Sequence, residues 1–136
     1  MGLVCGSFAN VLIHRLPLRE SVAFPGSHCP ACGAPIPWYL NIPVLSWLAL
    51  RGRCAACKSR ISLRYPLVEL LMGLLFLGSA WAWGASVHTA SAWTFCLLCV
   101  PLGLIDLEHQ ILPDRLTYPA IALVIAFALG GSGTSW

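Results

Sequence analysis

Cysteine is the residue type with the most telling spacing in this chain. Cys29-Pro-Ala-Cys32 and Cys54-Ala-Ala-Cys57 form two CxxC pairs with 21 residues between them. Two residues between thiolates let both sulfurs reach one ion from a single tight turn. A second such turn completes a tetrahedral site with sulfur about 2.3 Å from zinc. Gly33 follows the first pair and Lys58 the second; a small residue lets the turn close, and nearby positive charge helps keep thiols deprotonated. The spacing is slightly longer than the commonest four-cysteine pattern. The alternative, a redox pair or two disulfides, requires an oxidising compartment. A closed four-cysteine site has no open coordination position, so its expected role is structural. Cys5, Cys96 and Cys99 lie in apolar stretches, where a free cysteine behaves as a small hydrophobe.

The second constellation is acidic. Three of the five acids, Asp106, Glu108 and Asp114, fall in LIDLEHQILPD, and the other two are Glu20 and Glu69. Asp106 directly follows an apolar run. An ionisable residue at membrane depth is costly to bury and is a functional candidate by default, and desolvation is expected around it. Aspartic proteolysis uses two carboxylates sharing one proton, one activating water and the other polarising the carbonyl. Asp106 and Asp114 make a poor pair: on one helix they are offset by roughly 80° and about 12 Å, and Pro113 breaks the helix between them. The bland alternative is that all three acids are interfacial charges.

These residues must be positioned by elements suited to a membrane. Hydrophobic residues make up 58% of the 136 and charged residues 10%, against about 25% charged in soluble domains. Gly2 to Ile13 is apolar but shorter than the about 20 residues a span needs. No basic region precedes it and no small-residue cleavage site follows it, so it is not a signal peptide. It reads as the second half of a transmembrane helix, with a short interfacial helix as the alternative. From Arg15 to Pro66 the composition turns to proline, glycine, cysteine and charge, with little regular structure expected. Within that stretch Ile42 to Leu50 is apolar and is expected to pack on the membrane surface or on the cysteine module. Leu67 to Trp83 is the second membrane segment, with Trp81 and Trp83 as interfacial anchors. Gly84 to Ser91 is a polar turn, and Ala92 to Ile105 is the third segment. Pro119 to Leu129 begins a fourth.

Seven of the eight Lys and Arg residues lie between Arg15 and Arg64, the exception being Arg115. Basic residues collect on cytoplasmic loops, which puts the cysteine pairs inside and brings Asp106 back to the same side at the end of the third segment. Seven charges spread over some fifty residues are sparse for a nucleic-acid surface. The expected architecture is an all-α polytopic membrane protein with a small cytoplasmic four-cysteine zinc module. Residues 1–14 form a partial first transmembrane helix, 15–66 the zinc-binding loop domain, and 67–136 the remaining transmembrane helices.

Three stretches, taken in order, closely resemble the prepilin peptidases, the type IV leader peptidase and N-methyltransferase family of membrane aspartic peptidases. GSFANVLIHRLP is similar to that family's opening segment. CPACGAPIPWYLNIPVLSWLALRGRCAACKSRISLRYPLVELL is similar to its zinc-binding cytoplasmic region and the start of the next helix. LIDLEHQILPD resembles the motif carrying its first catalytic aspartate. The resemblance implies cleavage, after a glycine, of the basic leader of type IV prepilins and type II secretion pseudopilins at the cytoplasmic face of the bacterial inner membrane. It also implies possible N-methylation of the new N-terminus with S-adenosylmethionine. Asp106 would be the first catalytic aspartate, and Cys29, Cys32, Cys54 and Cys57 the ligands of structural zinc. The family's second aspartate sits in a Gly-x-Gly-Asp motif that this sequence lacks. The sequence is therefore expected to be cut short at both ends and, alone, inactive. The rival from another class is a non-enzymatic zinc-ribbon membrane scaffold, or a decayed peptidase. The expected partners are prepilins or pseudopilins and the lipid bilayer, with no nucleic acid.

Overall fold

A computed structural model describes residues 1–110 and 113–130. Residues 111–112 of LIDLEHQILPD, the tail 131–136 and the Arg115 side chain lie outside the described residues. The elements in chain order are α1 (Gly2–Arg15), a single 3-10 turn (Trp38–Leu40), α2 (Leu45–Ala49), α3 (Arg64–Trp83), α4 (Val87–His109) and α5 (Asp114–Gly130). No strand occurs among the described residues, in keeping with a mostly helical chain.

Each long helix runs further than its apolar run. α3 begins at Arg64 and α4 at Val87, so the polar Val87–Ser91 stretch is helix rather than turn. The reason is local: Ser86 caps α4, its hydroxyl accepting the Thr89 N–H at 3.4 Å, which satisfies a donor that the first helical turn otherwise orphans. Gly84 ends α3 at φ +59°, a conformation open to glycine without a Cβ penalty. α3 and α4 are both long and apolar enough to cross a membrane, since 20 and 23 residues rise about 30 and 35 Å.

α1 lies antiparallel on α3 at close range. Its buried residues Gly2, Gly6, Ala9, Asn10 and Ile13 recur at the spacing of one helical face. A Cβ on Gly6 would stand 2.6 Å from the Glu69 Cα, and one on Gly2 would stand 2.8 Å from the Gly73 Cα. Small residues four apart let two backbones approach in this way. One turn further, the Asn10 amide donates to the Tyr65 carbonyl at 3.0 Å. Ala9, Ile13, Val68 and Ile105 form the buried core, with Leu16, Val100 and Leu104 against it. α4 returns antiparallel to α3, and α5 packs on α4. Far from the cysteines, Trp93 stacks on Phe76 with centroids 5.0 Å apart. Its indole N–H is shared between the Phe76 carbonyl and the Ser79 hydroxyl.

Many large apolar side chains on α3 to α5 remain exposed, among them Leu70, Leu74, Leu77, Phe95, Val124 and Ile125. Such a surface is unusual for a water-facing chain and fits a lipid-facing one.

Candidate functional site: a four-cysteine centre beside the helix ends

The two cysteine pairs fold into matching knuckles. In the first, the Cys29 N–H donates to the Ala34 carbonyl, Gly33 N–H to Cys29, and Ile36 N–H to Ser27. In the second, Cys54 N–H donates to Ser59, Lys58 N–H to Cys54, and Ile61 N–H to Gly52. Isolated bridges His28–Pro35 and Arg53–Arg60 close the two hairpins. Each knuckle needs a left-handed residue straight after its second cysteine. Gly33 fills it at φ +69° and Lys58 at φ +60°, so one site is relaxed and the other strained.

The knuckles face each other. All four sulfurs, of Cys29, Cys32, Cys54 and Cys57, lie within 4.8 Å of one another, and Cys29 Sγ is 3.8 Å from Cys57 Sγ. A tetrahedral ion with sulfur at about 2.3 Å requires edges of about 3.8 Å, so the donor set fits one such ion. All four are free thiols rather than disulfides. Cys29 and Cys54 are buried and Cys32 and Cys57 exposed, which leaves the site at the rim of the module.

The module is electrostatically prepared for thiolates. The N–H groups of Cys32 and then Ala31 point at the Cys29 sulfur and hold its thiol down to about 6. The Ser59 hydroxyl lowers Cys57 most, followed by the Ser59 N–H. For Cys32 the Ala34 N–H acts downward. The neighbouring sulfurs of Cys57, Cys29 and Cys54, together with burial, outweigh it and push the thiol up to about 11. Thiolates this close repel one another, and a shared cation removes that repulsion. Ser59 stands 3.0 Å from Cys57 Sγ and 3.7 Å from Cys29 Sγ. No spacing rule marks it in the sequence; its position two residues after Cys57 was the only signal.

The segment 42–50, expected on the membrane or on the module, does the latter through Trp47. Its ring would meet a Cβ on Gly52 at 2.7 Å, and its N–H donates to the Ile61 carbonyl at 3.3 Å. The module is also fastened to the helices. Arg15, the last residue of α1, donates to the Ser21 and Gly26 carbonyls at 2.9 and 3.1 Å. The Glu69 carboxylate of α3 accepts the Val44 N–H at 2.7 Å. Val44 is held there at φ +61°, which is strained for a β-branched residue.

Asp106 lies in the last turn of α4, one turn before the left-handed Gln110 that ends the helix. Two residues on, Glu108 pairs with Arg64, the first residue of α3. Asp106 thus stands at the end of the bundle that carries the cysteine module. Its side chain is exposed, so the desolvation expected of it is not met by the described residues: the last turn of α4 projects past the core that ends at Ile105. Asp114 opens α5 and belongs to a different helix from Asp106, as Pro113 led one to expect.

The sequence model of the bacterial peptidase A24 N-terminal domain matches residues 1–83. The chain is 50% identical over 132 residues to the prepilin leader peptidase/N-methyltransferase of Myxococcus xanthus, covering 96% of this chain and 39% of that protein. It is 40% identical over 155 residues to the one from Neisseria gonorrhoeae, covering 96% and 54%. It is 42% identical over 137 residues to the one from Klebsiella pneumoniae, covering 96% and 60%. The chain therefore spans between about two fifths and three fifths of these relatives' length. No solved structure matches it significantly. With the A24 N-terminal domain covering most of its length and relatives of one name covering nearly all of it, the chain belongs to the prepilin leader peptidase family.

Proposed function

We propose that this chain serves leader cleavage of type IV prepilins or pseudopilins at the cytoplasmic face of the inner membrane, with Asp106 as one carboxylate of an aspartic dyad. The supporting observation is the placement of Asp106: solvent-accessible, in the last turn of α4, and beside the Arg64–Glu108 pair that ties this end to the start of α3. In such a dyad one carboxylate takes a proton from water as it attacks the scissile carbonyl, and the other donates to the carbonyl oxygen.

Cys29, Cys32, Cys54 and Cys57 hold structural zinc. Residues 15–66 act as the zinc-binding module, residues 1–14 as part of the first membrane helix, and residues 67–136 as the membrane helices of the peptidase. S-adenosylmethionine, when bound, supplies the methyl group for the new N-terminus.

The test is Asp106→Ala in the full-length protein, assayed for leader removal from a prepilin. Cleavage is expected to stop while zinc content stays at one ion per chain. Retained cleavage overturns the assignment.

A further inference from the structure

The packing of Trp47 on the second knuckle uses one side of α2 and leaves another open. Leu45 and Leu48, three residues apart on α2, share a side of that helix and are 64% and 59% exposed. Ile42 before them is exposed too, and so are Trp38 and Tyr39 of the 3-10 turn. These pieces are joined into one unit. The Ser46 hydroxyl accepts the Ile42 N–H at 3.1 Å and donates to the Tyr39 carbonyl at 3.4 Å. Contiguous apolar surface of this kind marks a place of contact with something other than water.

Glu69 sets the level of this surface against α3. The 20 residues of α3 rise about 30 Å, the thickness of a bilayer's hydrocarbon core, with Arg64 at one edge. Glu69 stands five residues after Arg64, about 7.5 Å along the axis. Its carboxylate accepts the Val44 N–H at 2.7 Å, so the residue just before Leu45 is held beside the first turns of the span. The exposed Leu67 and Leu70 of α3 lie at the same level. Amphipathic segments that lie in the membrane plane bury their apolar side about 5–10 Å deep, which matches. Ile42–Leu50 is too short to cross, which takes about 20 residues. Arg51 and Arg53 follow directly and are exposed, cations suited to the phosphate layer, where Trp and Tyr also collect.

We propose that residues 38–48 form an in-plane membrane anchor of the cysteine module. Trp38, Tyr39, Ile42, Leu45 and Leu48 enter the leaflet at the Arg64 end of α3, down to the boundary between headgroups and acyl chains. The occupant of this face is phospholipid. The Glu69 bond ties the segment to α3, and the apolar side chains tie it to the bilayer around α3. The inference stands on α3 as a membrane span and not on leader cleavage.

The experiment places an environment-sensitive fluorescent amino acid at Leu45, Leu48, Leu67, Leu70 or Glu20 of the full-length protein in nanodiscs. Each labelled protein is measured in ordinary phospholipid and in phospholipid brominated near the top of its acyl chains. Unchanged zinc content reports that the module is folded. Labels at Leu45 and Leu48 are expected to emit in the blue and to be quenched as fully as those at Leu67 and Leu70. The label at Glu20, a charged and exposed position, is expected to emit in the green without quenching. Green, unquenched emission from Leu45 and Leu48 puts this face in water and overturns the inference. Blue, unquenched emission means that protein covers the face, either the rest of the chain or a bound peptide, and also overturns it. If Leu67 and Leu70 are unquenched as well, the span reading of α3 falls with it; if they alone are quenched, only the anchor falls.

Discussion

The guanidinium of Arg64, at the first residue of α3, pairs with the carboxylate of Glu108, two residues beyond Asp106 on α4. The pair joins the exit of the cysteine module to the turn that carries the candidate nucleophile-activating carboxylate. It is partly exposed, so its direct worth to stability is small, below about 1 kcal/mol. Its consequence should be geometric.

Glu108→Gln in the full-length protein is therefore expected to leave the melting temperature nearly unchanged while cutting kcat for leader cleavage by about tenfold to a hundredfold, the scale set by misplacing a catalytic group by about 1 Å. Activity assays beside thermal melts check both halves. An equal loss of stability and activity would point to a structural role instead.

Ser59 touches two of the four sulfurs. Ser59→Ala is expected to weaken zinc binding by about 10–100-fold, as is usual for partners of metal ligands, with competition against a chromophoric chelator as the readout. Zinc should also leave as acid is added, because its ligands must be thiolates. Cys29 is the group held lowest, to about 6. In the metal-free module a lowered thiol contributes fully above its ordinary value near 9, and that contribution is lost as pH falls to about 6.

Lys58 occupies the left-handed position that Gly33 occupies in the first knuckle. Lys58→Gly is expected to tighten the metal-bound fold by up to about 1 kcal/mol, measured as a higher midpoint in denaturant at fixed free zinc. A lower midpoint would mean that the lysine's charge beside the thiolates matters more than its backbone.

Gly6→Leu is expected to force α1 off α3, since even a Cβ there would stand 2.6 Å from the Glu69 backbone. Overpacking of this kind costs about 1–3 kcal/mol. Gly78→Leu, where a Cβ meets nothing within 4 Å, is the matched control. Thermal melts in detergent separate the two.

What could be read from residue order alone was whatever repeats or extends. Two CxxC pairs announced a four-sulfur centre because the spacing is itself the geometry. Long apolar runs announced α3 and α4 because bilayer thickness sets a length. Helix starts were misjudged where a single hydroxyl, Ser86, draws Val87–Ser91 into α4. Asn10, the Arg64–Glu108 pair and the reach of Ser59 to Cys29 were invisible because each depends on a partner far away in the chain. Asp106 was placed correctly at a helix end, yet its exposure depends on how far α4 outruns the core, which no local pattern encodes.

The contacts of Arg15 and Glu69 give the cysteine module a mechanical character. One clamps the chain leaving α1, and the other grips Val44 from the side of α3. A knot of chain fixed to two different helices is a buttress, not a bead on a string. It cannot swing away from α1 and α3 on a flexible neck. Any force that loosens the metal-bound knot would reach the α1–α3 crossing at once.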